Sequence, residues 1–318
     1  MDYLLALPKS IFQGIRLANV VVYPLNWRIS FLTFLHALNG AYIYRRNLMN
    51  QNARIPFIQG LVSYILTSLG GSLTAGLLIG IPPTWLINDN ILPLYFLVYC
   101  VFFLDREGRI TKLISKGGDI VEYISAFINA TSRTNTLAGM VNMIRDYKDP
   151  NLNNSIVLLL VCGTIAACGG GILDHTFSLS KIEWKYSTPS CLKGENSFSL
   201  KATSIATLHY IILSNPMNED MIGLFGFIIK IRQLIFGNFT RLQAMTITWM
   251  FFMVMYFVYT YITIKKYPLN VERFIPPTFA KYFTGTNLTD NTASTEKKVE
   301  KKPEPMTEKK SENDKKNE

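Results

Sequence analysis

Charge is scarce in this chain. Asp, Glu, Lys and Arg make up 17% of its 318 residues, where a soluble domain of ordinary composition carries about 25%. That scarcity excludes an ordinary water-facing surface. Histidine, at three residues, and cysteine, at four, are scarcer still. Of Cys100, Cys162, Cys168 and Cys191, the first three lie inside apolar runs, and no pair has metal-ligand spacing. They read as small packing residues, and no metal is expected. The sequence lacks a glycine-rich phosphate loop, a His-Glu-x-x-His pair and a Gly-x-Ser-x-Gly elbow, so an enzyme is not expected. The formal net charge is +10, yet no basic stripe is interleaved with aromatics, which argues against nucleic acid.

Apolar residues are what the chain has in abundance. They make up 49% of it, and the mean hydropathy is +0.19. The value would be higher without the tail, which from Glu296 onward holds eight lysines and seven acidic residues. Such a chain either buries an unusually large core or uses lipid as its solvent.

The apolar runs predict an all-α membrane protein with seven transmembrane helices. The expected spans are 25–44, 57–81, 91–104, 120–144, 155–179, 198–213 and 244–264. The third and sixth are short for a hydrocarbon core that needs roughly 20 helical residues, and they are expected inside the bundle. Residues 221–236 carry Lys230 and Arg232 and read as interfacial. Met1–Pro24, with Lys9 and Arg16, reads as an amphipathic segment with no cleavage site behind an apolar core. The expected organisation is residues 1–24, a first three-helix repeat over 25–118, a second over 119–214, an interfacial segment and seventh helix over 215–266, and a tail over 267–318, disordered from about 285.

Basic residues favour the cytoplasmic side of a membrane. Arg45, Arg46, Arg54, Arg106, Arg109, Lys112, Lys116, Lys181, Lys185, Lys193 and Lys201 fall on one side of the predicted bundle, with the Lys-rich tail. The N-terminus is therefore expected outside and the C-terminus in the cytoplasm. Lys315 and Lys316 resemble a dilysine signal that returns membrane proteins to the endoplasmic reticulum. That compartment is the expected location, with the nuclear envelope continuous with it.

Two glycine runs, Gly70-Gly71-Ser72 and Gly169-Gly170-Gly171, lie 99 residues apart, each followed by a tryptophan, Trp85 or Trp184. Each falls in the middle helix of a three-helix group. Three is odd, so the second copy inserts upside down relative to the first, an arrangement known from transporters. Adjacent glycines weaken a helix by about 1 kcal/mol each relative to alanine. In lipid a loosened backbone persists only where it is packed in protein or lines a wet cavity. Both readings stay open: a pore-lining or hinge role for Gly70, Gly71, Ser72, Gly169, Gly170 and Gly171, and close helix packing through small residues. Asp174, just past the second run, and Lys201, near the start of span six, join the pore-lining set, because ionisable groups in spans face the interior or an aqueous path.

At these residues the sequence resembles the trimeric intracellular cation (TRIC) channel family. Gly71-Ser72-x-x-Ala75-x-Leu77-Leu78-x-Gly80-x-Pro82 is similar to the family's stretch in span two, and Ser197-Phe198-x-x-Lys201-Ala202-Thr203 to its entry into span six. The resemblance runs from about Pro24 to Lys266. It implies a homotrimer with one pore per protomer, conducting K⁺ and other monovalent cations as counter-ions to Ca²⁺ movement. It also implies a phosphoinositide lipid near the cytoplasmic side, with Arg133 and Lys116 as the lipid contacts; no other cofactor is expected. The sequence departs from the family on span four, where a lysine-glutamate-valine motif with following basic residues is replaced by Ile128-Asn129-Ala130-Thr131-Ser132-Arg133. A non-conducting membrane scaffold with the same fold is the alternative. A substrate-coupled transporter would need convergent polar groups, for which Asp174 and His175 are the candidates.

Overall fold

The computed structural model describes residues 2–22, 27–51, 54–147, 150–153, 155–189, 198–214 and 224–265. The tail that carries Lys315 and Lys316 lies outside the described residues. The described chain is helical apart from one two-stranded ribbon. Helix α1 (Asp2–Leu17) leads into antiparallel strands β1 (Asn19–Val22) and β2 (Trp27–Ser30), paired from Asn19↔Ser30 to Val22↔Trp27. The main helices follow as α2 (Phe31–Asn50), α3 (Phe57–Ile79), a single turn α4 (Thr84–Ile87), α5 (Ile91–Leu104), α6 (Arg109–Ser115), α7 (Asp119–Arg145), a single turn α8 (Pro150–Asn153), α9 (Ile156–Phe177), α10 (Phe198–Ser214), α11 (Leu224–Phe236) and α12 (Arg241–Ile264).

The ribbon corrects the expectation of helix alone, and it moves the first apolar helix. That helix begins at Phe31 rather than near residue 25, because the β-branched run Val20–Val22 pairs across to β2. The Phe31 N–H then donates to the Ala18 carbonyl at 2.8 Å. The helix continues past Tyr44 to Asn50 because its two arginines find partners. Arg45 Nη2 donates to the Asp105 carbonyl at 3.1 Å, and Arg46 pairs with Glu122.

Three helices, α3, α9 and α12, are long and apolar enough to cross a membrane, and α5 is apolar but only 14 residues long. The chain is thus a multi-pass membrane protein. The short helices are not enclosed, as their length led us to expect. Helix α5 buries Leu94, Tyr95, Val98, Tyr99 and Phe102 but exposes Phe96, Leu97, Val101 and Leu104. Helix α10 likewise buries one face and exposes Ile205. Helix α5 thus stands at the rim of the bundle with one apolar face turned outward.

Two apolar cores divide the bundle. The first joins α2, α3 and α5 through Ala37, Ala41, Tyr44, Tyr64, Tyr95 and Tyr99. The second joins α7, α9, α10 and α12 through residues such as Leu137, Leu159, Tyr210 and Trp249, and it takes in Phe12 of α1. Phe12 is fully buried and packs its ring 5.2 Å from that of Trp249. The threonines of α7 sit in this apolar setting because Thr131 and Thr134 donate to carbonyls four residues back, at 2.8 Å each.

Contacts at the helix ends fix the direction of each helix. Gln59, at the start of α3, donates to the Ile182 carbonyl, just past the end of α9, at 2.7 Å. The end of α7 meets the end of α10 through Arg145 Nη1 and Ser214 Oγ at 2.6 Å. It meets the start of α12 through a two-pronged pair, Arg241 to Asp146, at 2.7 and 2.8 Å. Those hydrogen bonds hold the Asp146 carboxyl below the usual carboxylate range. A lowered folded value means that the pair stabilises above the unfolded pKa, and that this is lost as pH falls through the folded one. Both side chains are exposed, so the pair is worth under about 1 kcal/mol. Asp146→Asn is expected to be that much less stable at pH 7 and to match the parent near pH 2. Equal stability at both pH values would show the pair to be inert.

Candidate functional site: a cavity between α2, α3, α7 and α9

Glycine brings α3 and α9 closer together than side chains allow. A Cβ on Gly71 would stand 2.6 Å from the Ala166 carbonyl oxygen and 2.7 Å from that of Ile165. One on Gly169 would stand 2.8 Å from the Gly71 Cα, and one on Gly170 would overlap the Thr67 carbonyl. The two glycine runs, 99 residues apart in sequence, are thus each other's neighbours in space. Gly70 faces Leu173 across the same contact, while Gly171 points into open space.

Beside this crossing lies a cavity of about 610 Å³. Its wall on α2 extends from Ser30, just before the helix, to Asn47 near its end, a rise of about 25 Å at 1.5 Å per residue. Helix α3 contributes Thr67, Gly71, Ser72 and Gly76, and the following loop and the start of α4 contribute Pro82 to Trp85. Helix α7 contributes Asn129 to Met143, and α9 contributes Ala166 to Asp174. The cavity therefore has residues from both ends of the bundle in its lining.

Of the residues singled out in the sequence, Gly71, Ser72, Gly170, Gly171, Asp174 and Arg133 line this one cavity. Gly70 and Gly169 belong to the helix crossing behind it. Lys201 stands exposed on α10 outside the lining, and Lys116 is exposed at the end of α6. Asp174 is engaged locally: both carboxylate oxygens accept from Ser180 Oγ, at 2.8 and 2.9 Å, and Oδ1 also accepts from the Ser180 N–H at 2.9 Å. These bonds close the end of α9, where Ser178 takes a left-handed conformation with φ of 54°. Arg133 sits midway along α7. Its Nη1 donates to Ser199 Oγ at 2.6 Å, and its guanidinium lies 5.8 Å from the Tyr256 ring centroid.

Amides that sequence reasoning passes over also belong to the site. Asn39, 7% exposed, accepts from Ser125 Oγ at 2.8 Å and donates to Asn129 Oδ1 at 3.4 Å. Both amides line the cavity, as does His36, whose Nδ1 is 2.6 Å from the Tyr95 hydroxyl. The available signal was an amide in the middle of an apolar helix, which needs a partner as a charge does. His209, by contrast, stacks on Phe251 and bonds Thr248, away from the cavity. Among the described residues no group of three His, Cys, Asp or Glu side chains stands together to hold a metal.

No family model matches this sequence, and no curated protein matches it. Solved structures do match. One is of a TRIC counter-ion channel described in connection with calcium release; it is 16% identical with a TM-score of 0.54, over 73% of this chain and 93% of that one. Another is a trimeric intracellular cation channel from C. elegans, also 16% identical at 0.54, over 81% of this chain and 97% of the other. Nearly the whole of each channel is thus represented here, and the chain has the fold of the trimeric intracellular cation channels.

Proposed function

We propose that this protein is a monovalent cation channel of the endoplasmic reticulum membrane. It would pass K⁺ through one pore per protomer of a homotrimer and supply counter-ion flux for Ca²⁺ release and uptake. The observation that carries the reading is the cavity lined from Ser30 to Asn47 along α2, where polar groups such as Asn39, Ser72, Asn129 and Asp174 share the wall with apolar side chains. Its length of about 25 Å is comparable to the hydrocarbon core of a bilayer, about 30 Å.

The helix ends support two oppositely directed triplets, α2-α3-α5 and α7-α9-α10, with α12 as a seventh helix. Like residues from the two halves meet at both crossings, glycine with glycine between α3 and α9, and Asn39 with Asn129 between α2 and α7. A pseudo-twofold axis through the bundle produces such pairs. Arg45, Arg46, Arg109, Lys112 and Lys181 gather at one end of the helices, which favours that end, and the chain after α12, as cytoplasmic. One feature favours the scaffold alternative: the lining has a fixed cation, Arg133, and its one acidic group, Asp174, is engaged by Ser180.

Single-channel recording of the full-length protein in a planar bilayer with symmetric K⁺ tests the reading. Unitary currents are expected. Silence at every voltage, with and without phosphoinositide in the bilayer, would leave the scaffold.

A further inference from the structure

Arg133 is the one basic side chain in the cavity lining other than a histidine. All its partners in the structure are neutral: the hydroxyls of Ser199 and, at 3.5 Å, Thr203, and the ring of Tyr256. The single carboxylate in the lining, Asp174, lies near the end of α9 and accepts three hydrogen bonds from Ser180. Among the described residues no anion therefore pairs with the Arg133 guanidinium. The charge is also held in place. Fourteen residues of α7 precede Arg133 and twelve follow it, so it stands about 18–21 Å from either helix end. The hydrogen bond to α10 and the ring on α12 stop it swinging out of the way.

A fixed positive charge in a narrow, partly dehydrated path acts on ions by their valence. The repulsion on a divalent cation is twice that on a monovalent one at the same point. A penalty of about tenfold in occupancy for K⁺ is thus about a hundredfold for Ca²⁺. The neighbouring groups do not reverse this. Asn129, one helical turn before Arg133 on α7, and its partner Asn39 on α2 are uncharged amides that offer oxygen to a cation without the charge that would hold a divalent ion.

We propose that Arg133 is the valence filter of the cavity, a specificity-determining residue that keeps divalent cations out while monovalent cations pass at reduced rate. The inference rests on the channel reading and deepens it. For a channel working across a Ca²⁺ gradient, the consequence is counter-ion flux without Ca²⁺ leak.

The test uses the full-length protein in planar bilayers, with unitary conductance in K⁺ and reversal potentials under K⁺/Ca²⁺ bi-ionic conditions. Arg133→Gln is expected to raise K⁺ conductance at least about threefold and to give measurable Ca²⁺ permeability. Arg133→Lys keeps the charge and should keep Ca²⁺ out. Ser199→Ala removes the anchoring bond and keeps the charge, so it should also exclude Ca²⁺. Should Arg133→Gln fail to fold, Arg133→His supplies the same comparison in one protein, with Ca²⁺ permeability appearing as pH is raised and the imidazolium discharges. Unchanged conductance and Ca²⁺ exclusion in both neutral forms, with the parent conducting, overturns the filter and leaves the channel intact. Ca²⁺ entry through Arg133→Lys or Ser199→Ala equal to that through Arg133→Gln also overturns it, since geometry rather than charge would then be at stake. A silent parent with a conducting Arg133→Gln overturns the filter, since the charge would then stop K⁺ as well as Ca²⁺. Silence in every form overturns both readings together.

Discussion

Gly170→Ala is expected to destabilise the protein by about 3 kcal/mol, the upper end of the range for overpacking. The added methyl overlaps the Thr67 carbonyl and stands 2.9 Å from its carbon. Backbone cannot step aside as a side-chain tip can, so α3 and α9 must separate along their length. Gly71→Ala meets two α9 carbonyls and should behave alike. Gly171→Ala is the control. Its Cβ meets nothing within 4 Å, and alanine's helix propensity should make it neutral or stabilising by up to about 1 kcal/mol. Unfolding of the purified protein in detergent reads the difference. Equal stability of Gly170→Ala and Gly171→Ala would remove the close crossing, and with it the geometry that shapes the cavity.

The second large effect is in the first core. Tyr64 is fully buried, its hydroxyl donates to the Ala37 carbonyl at 2.8 Å, and its ring lies 5.7 and 5.8 Å from those of Tyr95 and Tyr99. Tyr64→Ala removes a ring that holds α2, α3 and α5 together, and about 3–5 kcal/mol is expected for such a truncation. Tyr64→Phe keeps the ring and loses one hydrogen bond, about 1 kcal/mol. The loss should be regional, because the second core shares none of these residues. Amide exchange should quicken in α2 and α5 and stay near the parent's in α7 and α10. Uniform quickening across both groups would mean that the two cores unfold as one.

The glycine runs had two readings in the sequence, a site and a packing contact; the structure shows the packing contact and sets it beside a cavity. Gly71 and Gly170 carry the helix crossing on one face and the cavity on the other. Lys201 was chosen because it is charged and near a span, yet a long side chain at a helix start reaches outward without cost. Asn39 was passed over because an amide is uncharged. Its depth, not its charge, makes it part of the site.

Apolar run length is a local property, and hydrocarbon thickness sets it independently of fold. The sequence by itself therefore determined that the chain lives in lipid, where α3, α5, α9 and α12 begin and end to within a few residues, and that its glycines recur at a fixed interval. Tertiary structure alone decided that Gly71 meets Gly169 and Gly170 meets Thr67, that Arg133 lines a cavity while its guanidinium bonds hydroxyls of α10, and that β1 and β2 delay the first helix. Those outcomes depend on which helix faces meet. In an environment as apolar as the side chains themselves, that is settled by close packing and by pairing of polar groups far apart in the chain. No single stretch of residues records such a sum.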